Sequence, residues 1–319
     1  MSSAGRSTGR EQVRRVLLAL LEVAALLVGC GRSSAPTTAP AGAGLRVLAV
    51  EPFLSDIAQN VAGGRTTVST LMPLGVDPHA YEPTPGDLAR VADCQVLIVN
   101  GAGLEAFLDE MLRNVGGQRL VIEASAGLVS RKLSDQEDQA AHPEGDPHFW
   151  LDPNNVIRYV ENIRAGLSQA DPAGANTYAA NAQEYIARLK ELDQWIAAQV
   201  AEIPPNRRLL VTNHESLGYF ADRYGFRVVG SIIPSVSTDA SPSAQQMAEL
   251  VDAIKATGAP AVFLEVGTNP QLAEQLAREA GIRVVAELYT HSPGPSGGPA
   301  AGYIGMMQYD TKVIVEALR

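Results

Sequence analysis

Residues 171–205 read DPAGANTYAANAQEYIARLKELDQWIAAQVAEIPP, and the architecture turns on this stretch. Asp171 followed by Pro172 is a helix cap with proline at the first helical position, and Pro204-Pro205 is a stop signal. Between them Tyr178, Ala182, Tyr185, Leu189, Leu192, Ile196, Val200 and Ile203 recur at steps of three or four, the period of a helix with one apolar face. The spacing predicts a single helix of about 32 residues, near 48 Å at about 1.5 Å per residue. Such a helix either packs along one lobe or serves as a rigid spine along two. Its length exceeds one small domain, which favours the spine. A continuous helix also restrains how far two lobes can swing apart, because bending it breaks backbone hydrogen bonds.

On both sides of this helix the chain alternates between two periodicities. Residues 45–50, 66–72, 95–100 and 119–123 are β-branched or aliphatic runs, and helical spacing marks 54–61, 85–91 and 104–115. The pattern restarts with strand-like runs at 208–212, 227–231, 261–265 and 283–287, with helical spacing at 243–257, 270–280 and 303–318. Strands alternating with helices build parallel sheets with crossover helices. The expectation is an α/β protein of two lobes, residues 45–170 and 205–319, each a parallel sheet with flanking helices, joined by the spine over 171–204.

The N-terminus has its own character. Arg14 and Arg15 precede an apolar stretch over 16–28 that ends in Leu27-Val28-Gly29-Cys30. A basic start, a short apolar centre interrupted by Glu22 and a small-residue cleavage site make residues 1–29 an export signal. The apolar run is shorter than the roughly 20 residues a membrane span needs. Cysteine at that point resembles a bacterial lipoprotein signal, with Cys30 as the lipidated first residue; a signal anchor or a buried helix is the alternative. Residues 30–44 lack large apolar side chains beyond the cysteine and read as a flexible tether. The second cysteine, Cys94, then has no disulfide partner and reads as a small buried residue. A net charge of −10 with no basic cluster in the body excludes a nucleic-acid partner.

The chain has five histidines, and two follow the same dipeptide: Asp77-Pro78-His79 and Asp146-Pro147-His148. Proline fixes its own φ and keeps the preceding residue out of the helical region, so each ring sits on stiff loop. His214 comes two residues after the run ending at Thr212, and His291 four residues after Glu287. Ligands of parallel α/β sheets bind beyond the carboxyl ends of the strands. Four imidazoles, two from each lobe, would staple a cation into the interlobe cleft and satisfy a closed tetrahedral zinc site. The competing readings are ordinary ones: a backbone-bonded loop histidine for His79 and His148, a cap or core role for His214, an exposed turn for His291. His142, in an acidic, helix-poor stretch, reads as part of a mobile surface loop with at most transient metal contact. Asp77, Asp146 and Glu265 sit where carboxylates could accept imidazole N–H groups or orient the loops; Glu265 could also ligate directly or be a solvated strand end.

These residues carry a resemblance. Asp77-Pro78-His79-Ala80-Tyr81-Glu82-Pro83-Thr84-Pro85, Asp146-Pro147-His148-Phe149-Trp150-Leu151-Asp152-Pro153, Asn213-His214-Glu215-Ser216-Leu217-Gly218-Tyr219-Phe220 and Tyr303-Ile304-Gly305-Met306-Met307 together resemble the zinc- and manganese-binding lipoproteins that act as solute receptors for bacterial ABC importers. The likeness spans 45–319. It implies two α/β lobes joined by one long helix, with His79, His148 and His214 as metal ligands. At the fourth position similar proteins usually carry aspartate where this chain has His291. Manganese receptors usually place a carboxylate where His214 stands.

Imidazole favours zinc and its neighbours over manganese, which prefers carboxylate oxygen, so zinc is the expected cargo; copper and nickel share the ligand preference. The long His-rich insertion of many zinc receptors is vestigial here, over 134–146. The expectation is therefore a monomeric, lipid-anchored receptor facing the periplasm or cell exterior, capturing Zn²⁺ (or Mn²⁺) and passing it to an ABC permease. Binding should weaken as acid protonates the rings. An exported zinc hydrolase with Glu215 or Glu265 as base, or an adhesin-like surface lipoprotein, is the alternative; no His-Glu-x-x-His or Gly-x-Ser-x-Gly motif supports an enzyme.

Overall fold

The computed structural model describes residues 44–133 and 136–319. The export signal, Cys30 and all but the last residue of the tether lie outside the described residues. Among the described residues no helix is long and apolar enough to cross a membrane.

Among the described residues eight strands form two four-stranded parallel sheets. The first contains β1 (Val47–Ala49), β2 (Val68–Thr70), β3 (Val96–Val99) and β4 (Leu120–Glu123) in the order β2-β1-β3-β4; the second contains β5 (Leu209–Thr212), β6 (Arg227–Ser231), β7 (Ala261–Glu265) and β8 (Arg283–Leu288) in the order β6-β5-β7-β8. The second order repeats the first. Each β-branched or aliphatic run in the sequence became a strand, its ends shifted by two residues at most. β3 and β7 are buried along their whole length, as expected of inner strands covered on both faces. In each sheet the order reverses at the first strand, so the crevice for a ligand lies beyond the carboxyl ends of the inner pair.

The spine is present but shorter than its spacing predicts. Pro172–Gly174 form a 3₁₀ turn, and the α-helix runs over Ala175–Val200, 26 residues. Gly174 lies against the Arg65–Asp171 ion pair, where a Cβ would collide with both side chains. All eight apolar positions of the periodic pattern are buried. A helix absent from the sequence-based expectation, Pro153–Ala170, precedes the spine and packs along it. The residues do signal it: Asp152 caps it through Asn154 N–H (2.8 Å), Pro153 opens it, and Val156, Tyr159, Val160, Ile163 and Leu167 form its buried face. The acidic stretch before His142, expected as a mobile loop, contains the short helix Gln136–Ala141.

The spine touches both lobes. Asn181 donates to the carbonyl of Val61 in the first lobe (3.0 Å), and Asp193, buried within the apolar face, pairs with Arg223 (2.6 Å) and accepts from Tyr224 (3.0 Å) in the second. One continuous apolar core runs from Val47, Phe53 and Ile98 through the spine to Leu210, Phe263 and Met306. The C-terminal helix Gly302–Leu318 closes the back of the cleft: Tyr303 N–H donates to Asp56 (2.8 Å) and its hydroxyl to the carbonyl of Trp150 (2.6 Å).

Candidate metal centre

The tripeptide Asp-Pro-His builds the same local turn twice. In each copy the aspartate Oδ1 accepts the backbone N–H of the histidine two residues on, at 2.9 Å for Asp77–His79 and 3.0 Å for Asp146–His148. This is an Asx-turn with proline supplying the fixed central φ. His79 follows β2 and stands half-buried at the cleft; His148, after β4, is wholly buried. His214 follows β5 and is wholly buried, and His291 follows β8 and is 8% exposed.

The four rings meet. One ligand-capable nitrogen from each of His79, His148, His214 and His291 lies within 4.8 Å of all the others. The Nε2 of His148 is 3.3 Å from the Nε2 atoms of His79, His214 and His291 alike. A tetrahedral ion with metal–nitrogen bonds of about 2.0–2.1 Å would set neighbouring donors about 3.3–3.4 Å apart. His142, partly buried just after its short helix, is not in the cluster.

The outer nitrogens explain why the inner ones carry lone pairs. The Nδ1–H of His148 donates to Asp146 Oδ1 (2.9 Å), so its Nε2 is the bare nitrogen. Burial holds the His148 ring well below its ordinary pKa, and the neighbouring rings push it further the same way, so this contact is a neutral N–H donor on a carboxylate. Burial also raises Asp146 to about 6, partly offset by the His148 N–H and by Arg131, whose guanidinium stands 3.1 Å away. Glu265, at the end of β7, serves two rings: Oε1 lies 3.1 Å from His214 Nδ1, off the line of a straight hydrogen bond, and Oε2 lies 3.8 Å from His291 Nδ1. Ser216 donates to the same Oε1 (2.8 Å).

Charge follows from these contacts. Burial alone would raise the Glu265 carboxyl, but His214, His291 and Ser216 overcome it and hold the group down at about 2. Burial pulls His214 down, yet Glu265 outweighs it and leaves that ring above its ordinary value. Burial lowers His79 strongly and His291 as well. An anionic glutamate beside converging ring nitrogens is an electrostatic trap for a cation.

Asp77 is placed differently from Asp146. Its Oδ2 accepts the hydroxyl of Thr238 (2.6 Å) in the loop after β6, in the other lobe. Several supporting residues escaped the sequence reading. Asn100, at the end of β3, donates to the carbonyl of Pro147 (3.1 Å) and so braces the His148 loop; Trp150 donates to the carbonyl of Thr290 (2.6 Å), bracing the His291 loop. Beneath Asn100 lie two buried acids, Glu105, which accepts the Asn100 and Gly101 N–H groups, and Glu51. Burial raises Glu105 to about 7; burial and the charge of Glu105 push Glu51 well above the carboxylate range.

Two like-ordered α/β lobes around a buried cluster of four imidazoles define a metal-binding protein of the two-lobed receptor class. The chain matches the family described as the periplasmic zinc-uptake complex component A (ZnuA) over residues 47–317, and it belongs to that family. It is 35% identical to the manganese-binding lipoprotein MntA of Halalkalibacterium halodurans over 299 residues, 94% of this chain and 96% of that protein. Among solved structures it is similar to the periplasmic zinc-binding protein TroA of Treponema pallidum (TM-score 0.78, 30% identity, 86% of this chain and 99% of that one). It is likewise similar to the Mn-bound periplasmic metal-binding protein from Candidatus Liberibacter asiaticus (TM-score 0.76, 27% identity, 86% and 99%).

Proposed function

We propose that this protein is the extracytoplasmic receptor of a bacterial metal importer, capturing Zn²⁺ between its lobes and delivering it to an ABC permease. The observation that carries this reading is the convergence of four Nε2 or equivalent nitrogens at tetrahedral spacing. His79, His148, His214 and His291 are the ligands; Asp77, Asp146 and Glu265 orient them and balance the charge of the ion. Cys30 carries the lipid that holds the receptor at the membrane, the chain works as a monomer, and residues 30–44 tether the two lobes, 45–170 and 205–319, linked by the spine over 171–204.

Zinc over manganese rests on donor chemistry. The named relatives bind manganese in one case and zinc in another, so the family alone leaves the cation open. Four imidazoles with no carboxylate among the donors suit zinc and its neighbours, whereas manganese takes hard oxygen. The same closed shell argues for capture and against hydrolysis, which needs an open coordination position for water. The test is competitive titration of the purified protein with Zn²⁺ and Mn²⁺ against a chelator. One zinc per chain, held far more tightly than manganese, is expected. Manganese bound as tightly as zinc would contradict the specificity, and no binding of either ion would end the receptor reading.

A further inference from the structure

The cleft is closed in two different ways at its back and its front. At the back, the shared core, the Trp150–Thr290 bond and the Tyr303 contacts are buried. At the front, two hydroxyls cross between lobes. Thr238 Oγ1 donates to Asp77 Oδ2 (2.6 Å), and the other oxygen of that carboxylate fixes the His79 N–H. Ser292 Oγ accepts the N–H of Gly75 (3.0 Å), and Ser292 adjoins His291. Gly75 and Gly267 both take left-handed φ (+74° and +88°), and a Cβ on Gly267 would stand 2.9 Å from the Gly75 carbonyl. At Gly75 and Gly267 the front surfaces therefore meet backbone to backbone.

The loop after β6 that carries Thr238 is self-braced. Glu215 N–H donates to Ser235 O (2.9 Å), Ser237 N–H to Ser235 Oγ (3.1 Å) and Asp239 N–H to Ser237 Oγ (3.2 Å). Ser237 and Asp239 also wall a cavity of about 220 Å³ that reaches His79, the most exposed of the four rings. Thr238 stands between those two wall residues in the chain, and its bond to Asp77 ties that loop to the tripeptide carrying His79.

We infer that Thr238 and Ser292 are positioning residues that latch the front of the cleft over the bound ion and set the rate of its release, without touching the ion. The inference rests on the receptor reading and adds to it a front gate that opens while the back stays packed. A hydroxyl on a carboxylate is a charge-assisted bond and the stronger of the two, so Thr238 is the main latch.

The test is transfer of zinc from the loaded full chain to excess chelator in stopped flow, with the visible spectrum of the Co²⁺-loaded chain as a monitor of the donor set. Thr238→Val should release zinc at least about ten-fold faster, Ser292→Ala several-fold faster, and Thr238→Ser should return release to near the original rate, all with the Co²⁺ spectrum unchanged. Thr238→Val releasing at the original rate would overturn the latch. An altered Co²⁺ spectrum in that variant would overturn it too, assigning Thr238 to the aim of His79 instead. A parent chain that takes up neither Zn²⁺ nor Co²⁺ would defeat the receptor reading itself, an outcome distinct from both.

Discussion

At the carboxyl edge of the first sheet, Glu51 and Glu105 are buried together and pushed up toward the protonated state, and Glu105 accepts the N–H of Asn100, the brace under His148. At the same edge of the second sheet, Glu265 is equally buried but ionised, and its oxygens face His214 and His291. The strand order is the same in both. What differs is whether a ring of the histidine cluster stands within reach of the acid. In the first lobe each histidine has its own aspartate from its own tripeptide, so the loops are preset and the deeper acids are left to brace the backbone. In the second lobe two histidines share one carboxylate. The sheet supplies the location, and local loop chemistry decides whether an acid is structural or electrostatic.

The largest expected effect tests the preset side. His148 sits at 3.3 Å from all three partners, so His148→Ala should weaken zinc by roughly 1,000-fold, about 4 kcal/mol. His291→Ala should cost at least about ten-fold, on the order of 1.4 kcal/mol or more; an unchanged binding curve would remove His291 from the donor set. Chelator competition reads both. Next comes the shared acid. Glu265→Gln leaves both second-lobe rings without an anion, and a loss of about 10–100-fold in zinc affinity is expected. Asp77→Asn keeps an oxygen for the Asx-turn and should cost less; equal losses would erase the contrast between private and shared carboxylates.

The smallest effect concerns stability and works through pH. Glu105 titrates near 7 and Asp310, buried in the C-terminal helix with one oxygen on the Tyr289 N–H, near 8, both raised first by burial. A raised carboxyl keeps its proton in the folded chain after the unfolded chain has lost it. Its contribution is therefore full below about pH 4 and is lost as pH rises through the folded value. The two acids should therefore pull the thermal midpoint of the metal-free protein down between about pH 5 and 8, against the opposite pull of the lowered His79, His148 and His291 rings. Glu51→Gln, which places an amide where the pair needs a proton, should flatten that slope and gain about 1 kcal/mol at about pH 7.5. A steeper slope in the variant would contradict the mutual influence of the two acids.

Much of this was legible in the residues. The inner strands β1, β3, β5 and β7 announced themselves as aliphatic runs because they are buried on both faces and tolerate little else, and the edge strands showed through their β-branched residues. The spine was visible through its period, although its first turn was lost to the 3₁₀ turn that Pro172 and Gly174 impose. The helix Pro153–Ala170 carries the same cap-and-proline signal as the spine, but the tripeptide just before it draws the segment into the loop on a reading of residues alone. The histidines that gather were legible from the repeated Asp-Pro-His and from strand ends. Thr238, Ser292, Asn100 and Trp150 were not, because each acts through a partner 47 or more residues away. The Glu51–Glu105 pair was hidden for the same reason: such pairings exist only once the strands and lobes have packed.

X-ray absorption at the zinc edge of the stoichiometrically loaded protein interrogates the imidazole cage most directly. Four nitrogen donors at about 2.0 Å, with imidazole outer-shell scattering and no carboxylate bound to the ion, is the expected spectrum. A five- or six-coordinate ion with oxygen neighbours, or fewer than four imidazoles, would contradict it.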